Sequence, residues 1–372
     1  MARTILARIT LVIGLLVLVA PAALAQRRTE NVILITIDGA RHQDIFGGVD
    51  LEVLRSVAGK NPVESLATYK KYWAATPEER RAKVMPFFWG TLMAQGSIAG
   101  NPQRGSVAKV TNGHHFSYPG YAEILLGQAY DAEIKSNDPI RNPFETVLEF
   151  AKRKLGLPAA KVGAFASWGV FSAIVEHVPG TITSNTGVQP WPVADREVQL
   201  VNALQEEVLA PWGSIRHDAF TFRLAMTYLK TQRPRVLYLA LDETDDWAHD
   251  GKYELVLESL ARTDRQLQAL WEWLQSDPQY RGRTTMVITT DHGRGRGIDD
   301  WKSHGKDVPG ADEIWAAFIS PDSGLRGEWK DSAPIYQNQI AATLARYLGL
   351  DFSELRPTAG KAIEQLWRPS TR

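Results

Sequence analysis

Six side chains that can donate an oxygen or nitrogen to a metal, Asp38, Asp245, His249, Asp291, His292 and His304, are spread along the chain, and one hydroxyl, Ser117, lies between the first two. Carboxylate oxygens mixed with imidazole nitrogens suit a borderline-soft divalent cation such as zinc, and the same donors admit manganese. A hydroxyl beside such a cation can attack at neutral pH. The chemistry expected is hydrolysis at a centre of two divalent metal ions with serine as nucleophile.

The donors differ in weight. Asp38 stands in Ile37-Asp38-Gly39, where the glycine lets the chain bend sharply; alone it reads equally as a turn former. Asp245 and His249 are four apart, so one helical turn puts both on one side. Asp242, Glu243 and Asp246 crowd the same stretch, and that many carboxylates repel one another unless a positive charge sits among them. Whether any of the three also ligates is left open by spacing. Asp291-His292-Gly293 can ligate one ion or split between two, and His304 follows in Lys302-Ser303-His304-Gly305. Lys302 reads as a solvated loop lysine or as added positive charge near a substrate.

Donors so far apart need a scaffold that gathers them. Residues 31–37, 235–241 and 284–290 are apolar, β-branched runs that precede Asp38, Asp245 and Asp291, and 161–166 and 313–319 read as further strands. Between them, helices are expected over 144–155, over 214–230 with Ser214 as cap, over 253–275, and over 333–348 closed by Gly349. This alternation predicts an α/β fold, a mostly parallel sheet with helices on both faces, whose crevice lies at the carboxyl ends of the strands. Residues 51–106 and 181–212 break the pattern and read as insertions beside that crevice.

Composition bounds the rest. At 372 residues and 44% hydrophobic content the chain can bury a large core, and a net charge of zero disfavours nucleic acid or an anionic membrane as partner. Arg3 and Arg8, the apolar run 9–20 and Ala23-Leu24-Ala25 form an export signal over residues 1–25, leaving one domain over 26–372. The run is short of the ~20 residues that span a bilayer, so no stable membrane anchor is expected. With no cysteine there is neither a lipid-attachment site nor a disulfide, which fits a periplasmic or secreted protein.

Asp38 after a strand, Asp245 with His249, the Asp291-His292 pair and His304 resemble the ligand order of the alkaline phosphatase superfamily, especially its type I phosphodiesterase and nucleotide pyrophosphatase branch. The resemblance implies a three-layer sandwich in which one zinc takes Asp38, Asp291, His292 and the nucleophile oxygen, and a second takes Asp245, His249 and His304. In Phe116-Ser117-Tyr118-Pro119-Gly120-Tyr121, Ser117 takes the nucleophile's place, which implies a phosphoserine intermediate. Asn137 resembles the asparagine that donates to a phosphate oxygen, although as Asn137-Asp138-Pro139 it reads equally as a turn. His114 and His115 line the pocket or merely occupy a loop.

The implied substrate is a small phosphate ester, with diesters preferred. Sulfatases share the ligand logic, but their modified residue requires an arginine where Tyr121 stands. Phosphomutases resemble the metal core but are cytoplasmic. A non-catalytic metal- or ligand-binding protein on the same fold is the alternative of a different class. Trp89, Phe87, Trp168, Phe171, Trp191 and Trp212 could pack a core or line a leaving-group pocket.

Overall fold

The computed structural model describes residues 27–367, so the signal expected over 1–25 lies outside the described residues. Ten strands run through them: β1 (Asn31–Ile37), β2 (Ser97–Ala99), β3 (Ala108–Lys109), β4 (Val162–Ala166), β5 (Thr183–Thr186), β6 (Val236–Leu241), β7 (Thr284–Thr289), β8 (Ala316–Ile319), β9 (Gly327–Glu328) and β10 (Ile335–Tyr336). Eight form one sheet in the order β5-β4-β6-β1-β7-β8-β2-β9, while β3 pairs with β10. The five from β5 to β7 are parallel. Only β8 reverses, antiparallel to both β7 and β2.

Every residue of β1, β6 and β7 is buried, as expected of strands covered on both faces. Alternation divides their side chains between two cores. Ile33, Ile35 and Ile37 of β1 pack on one side with Leu224 and Leu229 of the Asp218–Gln232 helix and Leu257 and Leu260 of the Tyr253–Ser276 helix. Val32 and Leu34 pack on the other with Ile124 and Leu125 of the Ser117–Leu126 helix, Leu148 of Val147–Lys154 and Leu344 of Ile340–Tyr347. The result is a three-layer α/β sandwich.

Register then aligns the chemistry. Ile37 pairs with Leu241 and Thr36 with Thr289, so Asp38, Asp242 and Asp291 leave three adjacent central strands at one end of the sheet.

Some expected boundaries shift. The helix expected from Ser214 starts at Asp218, because residues 214–216 are tied to the 167–169 segment instead: Gly169 N donates to Ser214 O at 3.1 Å and Arg216 N to Ser167 O at 3.0 Å. The helix expected over 333–348 starts at Ile340, since Ile335 and Tyr336 pair with β3. The strand expected from Glu313 starts at Ala316. Residues 51–106 hold several helices, Leu51–Ala58, Ala67–Tyr72 and Pro77–Val84 among them, but also β2, which lies inside the sheet. Residues 181–212 supply edge strand β5 and the Arg196–Glu207 helix. Phe171 and Trp191 are buried core residues, Phe171 against Tyr121 at 4.5 Å and Trp191 against Phe165 at 5.2 Å. Among the described residues no helix is long and apolar enough to cross a membrane.

Candidate active site

Past the ends of β1 and β7, Asp38, Asp291 and His292 converge. His292 Nε2 lies 3.4 Å from Asp38 Oδ1, 3.3 Å from Asp291 Oδ2 and 3.4 Å from Ser117 Oγ. The second oxygen of each carboxylate is already engaged: Tyr121 donates its hydroxyl to Asp38 Oδ2 at 2.7 Å, and Gly39 N donates to Asp291 Oδ1 at 3.1 Å. Asp38 Oδ1 and Asp291 Oδ2 are buried without a hydrogen-bond partner among the described residues. Buried carboxylate oxygens are costly when unpaired. His292 Nδ1 is 2.9 Å from the Gly293 carbonyl, which can only accept, so the proton sits on Nδ1 and the Nε2 lone pair faces the two orphan oxygens. Two carboxylate oxygens and one nitrogen lone pair that converge in this way form a donor set that fits a divalent cation.

The second group forms where the Glu243–His249 helix follows β6. Asp245 Oδ2 is 3.1 Å from His249 Nε2, which lies 2.9 Å from His304 Nε2, and His304 Nε2 is 3.8 Å from Asp245 Oδ1. The His304 ring stacks on His292 with centroids 4.0 Å apart. Ligand atoms of Asp38, Asp291 and His292 lie within 4.8 Å of one another, as do those of Asp245, His292 and His304, so the two groups adjoin at His292. His249 closes the second group from the half-exposed mouth.

The charges agree with this geometry. Burial, then the nearby Asp245 charge, pushes the Asp38 carboxyl well above its usual range, and burial with Asp38 does the same to Asp291. Burial would also raise Asp245, but the Arg294 guanidinium with His249 and His304 holds it well below. Glu243 points elsewhere, bound by His217 Nδ1 at 3.0 Å and Arg262 at 2.9 Å. Asp242 is buried beside Asp246, and burial followed by the Asp246 charge pushes it up. Lys302 is exposed.

Ser117 opens the Ser117–Leu126 helix, and Phe116 at the cap position offers no side-chain acceptor. Asn137 fills that role by accepting the Tyr118 N–H on Oδ1 at 2.9 Å, which leaves its amide nitrogen free to donate. The preceding loop is held from below. The buried Glu123 carboxylate accepts from Thr111 N and Oγ1 and from Asn112 N and Nδ2 at 2.8–3.0 Å. Asn112 Oδ1 in turn accepts from the backbone of His114 and of His115, a non-glycine residue held at φ 54°. His114 Nε2 binds the Asp131 carbonyl at 3.0 Å, so its ring braces the loop.

Residues 67–308 match the profile of a family described as Type I phosphodiesterase / nucleotide pyrophosphatase. The chain belongs to that family. Ser117, Asn137 and every donor except Asp38 fall within the matched segment of this phosphodiesterase-family chain. No curated protein sequence matches it. Solved structures similar to it include wild-type alkaline phosphatase PafA, with a TM-score of 0.61 and 11% identity over 92% of this chain and 99% of that one. Phosphonate monoester hydrolase of Agrobacterium radiobacter gives 0.55 and 13% over 92% and 78%, and BT1596, a 2-O GAG sulfatase, gives 0.52 and 12% over 92% and 76%. At such identities the likeness is one of fold, and the fold is alkaline phosphatase-like.

Several neighbours of this site, Glu123 among them, escaped the sequence reading. Arg294 reaches Asp245, Tyr121 reaches Asp38, and Gly120 lies against the Asp291 backbone. Asp218 accepts from Asp242 N at 2.9 Å and Glu243 N at 3.2 Å and so caps the helix that carries Asp245. Arg294 had a signal, a charged residue between two glycines just after His292; Asp218 had none.

Proposed function

We propose that the protein is an exported hydrolase of small phosphate esters, diesters in preference to monoesters, with Ser117 as nucleophile. The observation that carries this is the placement of Ser117 Oγ at 3.4 Å from His292 Nε2, beside the two orphan carboxylate oxygens. Asp38, Asp291, His292 and Ser117 would hold one divalent ion and Asp245, His249 and His304 a second, zinc or manganese by donor type. Bound there, the ions supply positive charge to the phosphoryl group and lower the pKa of the serine hydroxyl.

The chain's own groups do the rest. Of the first amides of the Ser117–Leu126 helix only that of Ser117 is left for an entering phosphoryl oxygen, since Tyr118 N donates to Asn137 Oδ1, Pro119 has no N–H and Gly120 N donates to Phe116 O. Asn137, fixed by its bond to Tyr118 N, presents Nδ2 to a non-bridging oxygen. Ser117 is almost fully buried at the floor of the crevice, which limits competing water at the attacking atom. Attack forms a phosphoserine ester and expels the alcohol, and water then hydrolyses that ester.

The diester preference rests on charge. A monoester dianion needs an additional cationic partner, yet Arg294, the buried cation beside the donors, is committed to Asp245, and Lys302 is exposed. The sulfatase alternative is opposed by Tyr121, whose hydroxyl is spent on Asp38. Nitrophenyl phosphate diester, monoester and sulfate, offered to wild type and Ser117→Ala, test the reading. Serine-dependent turnover led by the diester is expected. A leading sulfate ester would replace the reaction class, and zinc uptake without turnover of any ester would favour a binding protein.

A further inference from the structure

We infer that Arg294 is a positioning residue that assembles the Asp245–His249–His304 group before an ion binds; the inference rests on the two-ion reading above. The side chain is 1% exposed. Its Nη2 donates to the Asp245 carbonyl at 3.1 Å and pairs with Asp245 Oδ1, while Nη1 donates to the Lys302 carbonyl at 2.5 Å, two residues before His304. Its backbone follows His292 by two residues. A Cβ added at Gly39 would stand 2.8 Å from Arg294 Nε, so the turn after Asp38 also closes on this guanidinium. One planar cation thus joins four segments that carry ligands.

The arrangement takes up the Asp245 oxygen nearest His304 and leaves the other for an ion. Arg294 occupies Asp245 Oδ1, whereas Oδ2 faces His249 Nε2 at 3.1 Å and remains open to an ion. The His304 loop has no regular secondary structure and is tied to its surroundings by few bonds, Gly295 N to Ser303 O at 3.0 Å among them. A guanidinium suits this clamp because it donates in two directions from one rigid plane, which an ammonium does not. The opposing view makes Arg294 a stand-in cation that an arriving ion must displace. The two views predict opposite changes when the charge is removed.

Zinc titration by calorimetry, with metal analysis after dialysis, distinguishes them in the full chain. Wild type should bind two zinc ions. Arg294→Met should keep one tight ion and weaken the other by about 10–100-fold, the range for groups that orient metal ligands. Arg294→Lys should recover part of that loss, which generic core damage would not do. An unchanged or tighter second ion in Arg294→Met overturns the inference. Should Arg294→Met fail to fold by circular dichroism, Arg294→Lys decides: weakened second-ion binding supports the clamp and wild-type affinity overturns it. Fewer than two ions in wild type would instead strike the two-ion reading itself.

Discussion

Gly120 is a tight contact between the helix that Ser117 opens and the Asp291 backbone. It sits one turn into the Ser117–Leu126 helix, and a Cβ built on it would come within 2.4 Å of the Asp291 carbonyl oxygen and 3.2 Å of Asp291 Cβ. Ordinary contact begins at 3.4 Å, so Gly120→Ala must part the helix from Asp291 by about 1 Å. Overpacking of this kind costs about 1–3 kcal/mol. Alanine returns about 1 kcal/mol through its better helix propensity. The net loss of stability should therefore be about 0–2 kcal/mol, leaving the protein folded. A 1 Å misplacement of reacting groups, in contrast, costs on the order of 100-fold in rate. Thermal melting and kcat/KM on the nitrophenyl diester measure the two effects separately. Gly90→Ala is the control, since nothing lies within 4 Å of a Cβ there, and it should leave turnover unchanged. A folded Gly120→Ala enzyme with wild-type kcat/KM would refute the coupling between the serine helix and Asp291.

Other perturbations separate roles that share one residue. Asn137→Asp keeps an oxygen for the Tyr118 N–H but replaces the donor with a negative charge, so stability should hold while kcat/KM drops by about 100-fold or more; Asn137→Ala should lose both, with about 1 kcal/mol of cap stability. Equal melting and equal kcat/KM in both variants would contradict that division. The His42 hydrogen bond, then the Arg296 pair, depress the Glu313 carboxyl from 4.5 to about 2. Its stabilisation is therefore present above pH 4.5 and lost as pH falls through about 2. Melting temperature against acid pH should decline less steeply in Glu313→Gln than in wild type, and parallel curves would contradict the pair. Chelation should abolish turnover and lower the melting temperature reversibly, because Asp38 and Asp291 are then left crowded without a cation; a melt indifferent to zinc re-addition would count against the centre.

The sheet was legible because β1, β6 and β7 are buried on both faces and carry apolar, β-branched runs, so the strand ends near Asp38, Asp245 and Asp291 followed from the pattern. Boundaries set by distant partners were not legible. Nothing local in 214–217 shows that Ser167 and Gly169 hold that segment out of the helix, and nothing near Ile335 shows that β3 will pair with it. The same division runs through the site. Residues whose type carries the chemistry stood out, including His304 between serine and glycine. Residues that act by contact did not, because Glu123, Asp218 and Gly120 acquire meaning only when the Thr111 loop, the Glu243–His249 helix and the Asp291 backbone are brought against them. The aromatic residues divided likewise: Phe171 and Trp191 went to the core, whereas Trp212 packs on Trp247 of the Glu243–His249 helix at 4.5 Å.

The account turns on Ser117 as the attacking atom. Zinc-loaded wild type and Ser117→Ala, quenched in acid during turnover of the nitrophenyl diester and digested for peptide mass mapping, put that to the test. The account predicts a phosphoryl adduct on Ser117 in wild type, and no adduct and no turnover in Ser117→Ala at equal zinc content. Wild-type turnover by Ser117→Ala, or an adduct on another residue, would contradict it.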